Sequence, residues 1–299
     1  MQICSFLPSA TEILYALGLG NSVAGVTFEC DFPPEAARKA IIVSTNLAHN
    51  LTSAQIDNDV NSYTSHGDSL YRIDISKLEA IKPDLIVTQE LCDVCAISTS
   101  HVAKAVGQLS SRPQVLSLTP HTLDDVLEDV LRVGEATERR AEAHALASSL
   151  RERIATIRQK SKTQRPTVVC LEWLSPPFNG GHWIPEMIDF AGGVDPLGKL
   201  GKDSYRMKWD QVLHADPDVV LVMPCGHNLE RSIEEYRVTQ FPGEWQQVKA
   251  VRNGRVYAAN ASAYFSRPGP RLVTGLEIMY SLLQEDWSHE LPAGSWARL

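Results

Sequence analysis

The sequence predicts an α/β fold: two Rossmann-like lobes with mainly parallel sheets, joined by one long helix. Three observations predict it. Short apolar runs that read as strands alternate with stretches of helical periodicity in both halves, the pattern of parallel sheets with crossover helices. One unit occurs twice: Leu78-Glu79-Ala80-Ile81-Lys82-Pro83-Asp84-Leu85-Ile86-Val87 is echoed by Val212-Leu213-His214-Ala215-Asp216-Pro217-Asp218-Val219-Val220-Leu221, with Pro217 standing 134 positions after Pro83. Between the halves, residues 138–162 contain neither Gly nor Pro. About 25 helical residues there would make a strut roughly 37 Å long at 1.5 Å per residue. The lobes are set at 1–121 and 164–299, with a helical segment 122–163 that includes the strut.

The elements follow in order. Residues 2–7 form a short apolar strand ending at Pro8. Ser9-Ala10-Thr11-Glu12 reads as a capping box, with Ser at the cap and Glu three later. Ile13, Leu14 and Leu17 give the helix an apolar face, and Gly18 and Gly20 stop it. Val23 to Thr27 is the second strand, Lys77 to Ile81 a short helix, and Leu85–Thr88 and Val115–Leu118 further strands. Leu123, Val126, Leu127, Val130 and Leu131 mark one helix, and Leu146, Leu150, Ile154 and Ile157 the next, with a break near Thr137. The second lobe restarts with the strand Thr167–Trp173. A helix entered at Pro185 and stopped by Gly192-Gly193 follows, then the strands Val219–Met223 and Arg255–Ala259 and a helix from Pro270 to Gln284.

Composition narrows the function classes. Apolar residues make up 43% and charged residues 21% of 299, which excludes a disordered chain. Lys plus Arg number 28 against 36 Asp plus Glu, a net charge of −8. With no basic run, the footprint of a nucleic-acid binder is missing. No apolar stretch approaches the roughly 18 residues of a membrane span. The chain leads straight into a core strand with no secretory pattern, so the protein is expected in the cytoplasm, or in the periplasm if a leader has been removed. Six cysteines are too few for a disulfide scaffold, and in a reducing compartment they are thiols.

Several motifs bear on chemistry. Gly193-Val194-Asp195-Pro196-Leu197-Gly198-Lys199-Leu200 nearly matches a phosphate loop, but Leu200 replaces the metal-binding hydroxyl and a helix precedes it where a strand is required. Gly18-Leu19-Gly20 lacks the third glycine of a dinucleotide fingerprint. Cys92-Asp93-Val94-Cys95 places two thiols where they can grip one metal or form a reversible disulfide. Cys225 and His227, just past a predicted strand, are expected to complete a site for zinc or iron, with Cys30 at the same mouth; the plain alternative is thiols packed under loops. Cys4 and Cys170 fall inside strands and are expected in the core. Gly180-Gly181 ahead of His182-Trp183 predicts close backbone approach to a flat ligand. Tyr264-Phe265-Ser266-Arg267-Pro268-Gly269-Pro270-Arg271 pairs aromatics with arginines in a loop that two prolines stiffen.

Together these stretches resemble the substrate-binding proteins of ABC importers that bind vitamin B12 or iron–siderophore complexes, the B12 branch most closely. Pro8 with Thr11-Glu12 and Gly18, Gly25-Val26 with Asp31, Pro33 and Pro34, the Lys-Pro-Asp strand, and Pro176-Pro177-Phe178 with Tyr264-Phe265 and Arg267 carry the likeness. The resemblance implies a two-lobed periplasmic-binding-protein-like fold of the class with a helical backbone. It implies a non-catalytic monomer that binds cobalamin or a related corrinoid in an interlobe cleft. Its lining would be Pro8, Ser9, Glu29, Cys30 and Gln89 on the first lobe, and Trp173, Phe178, His182, Trp183, Tyr264, Phe265 and Arg267 on the second. It also implies one acid per lobe for docking on an ABC permease: Asp210 stands at the second position, but Ser76 at the first. Rival readings are an iron–siderophore or haem binder on the same fold, and a thiol-based metal-handling or redox protein.

Overall fold

A computed structural model describes residues 1–48, 51–66, 69–89, 99–160, 165–288 and 290–299. The chain packs into two units: Met1–Leu51 with Gln55–Pro120 and Asp125–Ser149, and Leu150–Leu299 with His121–Asp124 and Thr52–Ala54. Among the described residues no helix is long and apolar enough to cross a membrane.

In the first unit the elements are β1 (Ile3–Ser5), α1 (Pro8–Ala16), β2 (Val23–Thr27), β3 (Ala40–Thr45), α2 (Ser53–His66), β4 (Tyr71–Ile73), α3 (Ile75–Ile81), β5 (Leu85–Gln89), α4 (Thr99–Gly107), β6 (Gln114–Leu118) and α5 (Leu123–Ala136). The sheet order is β4-β3-β2-β1-β5-β6, parallel except for β4. Because side chains alternate across a strand, Ile3, Leu85 and Val87 pack on one face with α1 and α5, while Cys4 and Ile86 pack on the other with Leu78 and Val102. Both faces are covered, as parallel sheets require. The first helix begins two residues earlier than its capping box predicts. Leu7 is the cap with no side-chain bond, and Pro8 opens the helix, since its fixed φ and missing N–H suit the first position. Ser9 is thereby inside the helix, 2% exposed.

The second unit holds β7 (Val168–Leu174), β8 (Pro177–Asn179), α7 (Ile184–Phe190), α8 (Trp209–Ala215), β9 (Val219–Val222), α9 (Leu229–Val238), α10 (Lys249–Arg252), β10 (Val256–Ala259), α11 (Ala261–Tyr264), α12 (Leu272–Gln284) and β11 (Trp296–Arg298). The order is β11-β10-β9-β7-β8, with parallel β10, β9 and β7 between antiparallel edge strands. The edge strands β4, β8 and β11, and the helix α2, carry too weak a periodic signal to be read from the sequence.

The connecting helix is α6 (Arg140–Gln159), 20 residues and about 30 Å long. It starts later than the Gly/Pro-free stretch because Glu138 takes a left-handed φ of 58° and separates it from α5. Ala143 and Ala147 of its first half belong to the first unit's core. In its second half, Arg153 donates to Glu277 Oε2 at 2.7 Å and to Thr274 Oγ1 at 2.8 Å on α12.

The internal echo is structural. The residue after each short helix is left-handed, Lys82 at φ 50° and Asp216 at φ 41°, and a proline then bars continuation of the helix. The next aspartate accepts from the amide that precedes the neighbouring parallel strand. Gln2 N–H donates to Asp84 Oδ2 at 2.7 Å and Thr167 N–H to Asp218 Oδ2 at 2.8 Å. Asp218 also accepts the Thr167 hydroxyl at 2.8 Å, whereas the Asp84 carboxylate is 62% exposed. Asp218→Ala is therefore expected to lower unfolding free energy by about 1–2 kcal/mol and Asp84→Ala by less. Urea titrations of the two variants check the order; equal losses would refute it.

Candidate functional site

The carboxyl ends of both sheets carry the residues that the sequence singles out, the position where open α/β sheets bind ligands. In the second unit, β7 turns directly into β8, so Trp173 lies opposite Phe178 across the antiparallel pair. The Arg206 guanidinium stands 5.7 Å from the centre of the Phe178 ring, and the two residues are bridged through their backbones. Trp173 and Phe178 are each partly exposed. Next to them, the loop after β9 brings His227 edge-on to Trp173, with ring centres 5.8 Å apart. After β10, the last residue of α11 is Tyr264, whose ring lies 5.9 Å from the Arg271 guanidinium. Asn260 caps α11 by accepting from Ala263 N–H. A Cβ on Gly275 would strike the Tyr264 carbonyl, so glycine is required for α12 to pack against this loop. Aromatic faces with guanidinium groups over them form a surface for a large, flat, partly polar ligand.

His227 is unusual. It is 2% exposed, and among the described residues neither ring nitrogen has a hydrogen-bond partner. Burial pushes its pKa down to about 4, helped by the nearby Arg231 charge, so the ring is neutral at physiological pH. Cys225, partly exposed, donates its backbone N–H to the Glu172 carbonyl at 3.1 Å.

Two of the lining residues expected on the second unit are core residues. Trp183 is 4% and Phe265 1% exposed, and the Trp183 indole N–H donates to the Phe265 carbonyl at 2.8 Å. They lock the 265 loop to the start of α7. Arg267 is partly exposed in the same loop. The Gly-Gly pair also has a different use from the one expected. A Cβ on Gly181 would strike the Ser204 backbone and one on Gly180 would strike Ile184, so the close approach is between segments of the chain itself. Gly181 N–H donates to Glu172 Oε1 at 3.1 Å, and His182 N–H to the Lys202 carbonyl at 2.6 Å. His182 takes a left-handed φ of 53°.

In the first unit, Pro8 and Ser9 follow β1, Glu29 and Cys30 follow β2, and Gln89 ends β5. Cys30 is a buried thiol, 3% exposed, and its Sγ lies 3.1 Å from Thr11 Oγ1 and 3.4 Å from Thr27 Oγ1. Its packing with Leu7 and Ala10 puts it in the core, not at a mouth. Gln89 is 7% exposed. Cys4 and Cys170 are buried within strands, and desolvation pushes Cys4 up to about 12 and Cys170 well above the usual thiol range. Cys92 and Cys95 lie outside the described residues.

The expected metal set of Cys92, Cys95, Cys225 and His227 lies partly outside the described residues; among the described residues one other group could hold an ion. His121, His182 and Asp203 bring their ligand atoms within 4.8 Å of one another. No sequence signal links these three, since they are separated by about 60 and about 20 positions and only the fold of the second unit joins them. Arg206 was missed for the same reason. A depression of about 260 Å³ lined by Arg165, Asp218, Asn253 and Arg255 opens at the opposite, amino end of the sheet. Its arginines are already engaged, Arg165 with Asp189 at 3.1 Å and Arg255 with the Leu283 carbonyl at 3.0 Å.

The sequence pattern of a family described as periplasmic binding protein matches residues 3–263. A vitamin B12-binding protein of Vibrio cholerae is 23% identical over 288 residues, covering 95% of this chain and 89% of that protein. The crystal structure of a periplasmic vitamin B12-binding protein of Vibrio cholerae superposes with a TM-score of 0.70 over 96% of this chain and 98% of that one, at 23% identity. A substrate-binding lipoprotein of an ABC transporter from Bacillus subtilis is 25% identical over 301 residues, covering 95% of this chain and 80% of that protein. A periplasmic haem-binding protein from Roseiflexus has a TM-score of 0.70 at 21% identity, covering 95% of this chain and 98% of that one. These matches correct the cytoplasmic expectation, because the relatives are periplasmic proteins or lipoproteins. A core strand near the first residue tells where the fold begins and carries no information about compartment. The argument that all the cysteines sit in a reducing environment falls with it.

Proposed function

The chain belongs to the periplasmic binding protein family, and from that premise we propose that it captures cobalamin or a related corrinoid outside the cytoplasm for an ABC importer, without catalysis. The observation that carries the reading is the strip formed by Trp173, Phe178 and Arg206, with a second aromatic–guanidinium pair, Tyr264 and Arg271, after β10. A corrin ring offers a broad apolar face to the aromatics, and its amide side chains offer acceptors to the guanidinium groups. The strip sits on a hairpin and on a loop that Asn260 and Gly275 hold in place, so little ordering opposes binding. Asp210, exposed in the first turn of α8, serves as a docking acid for the permease. In the first unit the Ser76 hydroxyl donates to Asp74 Oδ1 at 2.6 Å, so a carboxylate stands in the same turn.

Calorimetry and visible spectra with hydroxocobalamin, cobinamide and haemin test the reading. Saturable binding of a corrinoid with a micromolar or lower dissociation constant, about −8 kcal/mol or stronger, is expected. Phe178→Ala should weaken it by roughly 1–3 kcal/mol. Saturation by haemin alone, or no corrinoid binding at high micromolar concentration, would refute it.

A further inference from the structure

We propose that His121, His182 and Asp203 form a binding site for one divalent transition-metal ion on the second unit. Two nitrogens and one carboxylate oxygen are a donor set suited to zinc and its neighbours, with a position left open for a further ligand. The geometry is largely in place. His182 Nε2 lies 3.3 Å from Asp203 Oδ1. Two ligand atoms bonded to one zinc at about 2.0–2.2 Å and a tetrahedral angle lie about 3.4 Å apart. His121 faces His182 with ring centres 6.0 Å apart and planes within 22°. Two imidazoles on one ion have centres up to about 6.4 Å apart, given a bond of about 2.1 Å and the ring's own radius. The three ligand atoms lie within 4.8 Å of one another, so small rotations of the two exposed side chains, His121 and Asp203, bring all of them to bonding distance.

His182 is the fixed member. Its Nε2 is shielded from solvent, and its polar neighbour among the described residues is Asp203 Oδ1 at 3.3 Å, a pair that coordination to one shared ion would satisfy. The surroundings hold it there: the Gly181 contact with Ser204, the bond from His182 N–H to Lys202, and Trp183 at 5.4 Å between ring centres. A left-handed φ of 53° at a non-glycine residue is the kind of local strain that surrounding contacts sustain at ligand-holding positions.

The test is zinc uptake by the full chain, measured by competition with a chromophoric chelator, together with the visible spectrum of the cobalt(II) form. The expected result is one equivalent of zinc and a cobalt spectrum without a thiolate charge-transfer band. His121→Ala and Asp203→Asn, both at exposed positions that leave the fold intact, should each weaken uptake by about tenfold or more. His182→Asn, which tolerates the left-handed backbone, should abolish it. No uptake by the unaltered chain at micromolar free zinc would overturn the proposal. So would uptake that survives a His121→Ala/Asp203→Asn double substitution, or a cobalt thiolate band that a Cys92→Ser/Cys95→Ser substitution removes. Corrinoid titration of the same variants reports on the other site, so the two proposals fail separately.

Discussion

Replacing Trp245 with alanine is expected to lower the unfolding free energy by about 3–5 kcal/mol, the range for truncating a large buried aromatic. Trp245 is 1% exposed and packs in the second unit's core with Val212 and Val248. Its ring stacks on Phe241, with centres 4.6 Å apart and planes within 11°, and meets Trp209 edge-on at 5.5 Å. The indole N–H donates to the Tyr236 hydroxyl at 3.2 Å. The substitution opens a cavity among rings too rigid to collapse into it, and it also removes the tie between the end of α9 and the segment before α10. Chemical unfolding followed by circular dichroism measures the loss. A cost below about 1 kcal/mol would mean that these rings do not hold the loop.

His227→Phe is expected to change how stability depends on pH. The folded-state pKa of His227 is about 4 against an ordinary 6.5. Between those values the unfolded chain binds a proton that the folded chain refuses, so stability falls as pH drops from 6.5 and the loss is complete near pH 4. The shift corresponds to roughly 3 kcal/mol. Phenylalanine has nearly the same shape beside Trp173 and cannot take up a proton. The stability of the variant minus that of the parent should therefore rise by about 3 kcal/mol between pH 7 and pH 4. Asp129 must be separated from this effect because it has the opposite sign. Burial raises its pKa to about 6 and outweighs the Arg132 ion pair at 2.8 Å. Its folded state holds a proton that the unfolded state releases, which favours folding at low pH and loses that benefit as pH rises through 6. The parent's own pH profile is the sum of such terms, so only the difference between the two proteins isolates His227. A difference that stays constant with pH would disprove the assignment.

The fold was legible where its signals are local. Alternating strands and helices, Pro185 at a helix start, and Gly192 at its end, with a φ of 86°, need only neighbouring residues. The Pro-Asp echo went further and located the paired carboxylates, Asp84 and Asp218, though their hydrogen bonds to Gln2 and Thr167 could not be read before the strands were placed. The candidate site was legible only in part. Trp173, Phe178 and Tyr264 were named through the family resemblance, and all three are partly exposed. Trp183 and Phe265 have the same appearance in sequence but are buried, because whether a ring faces solvent or core depends on which loop covers it. His121 and Asp203 gave no signal at all. A ligand set assembled from distant segments is a property of topology, which no short sequence pattern reports.

The edges of the two sheets differ in what they offer to another molecule of the same chain. Of the four edge strands, β4, β8 and β11 have three residues each, too few to template a foreign strand. The β6 edge has five, and Val115 on it is 43% exposed. Arg132 places its guanidinium there, donating to the Ser117 carbonyl at 2.7 Å. A strand adding at β6 would have to displace this charged group from a backbone acceptor it needs for its own ladder. In concentrated preparations Arg132 is thus a gatekeeper against self-association, and β6 is the edge on which colloidal behaviour depends.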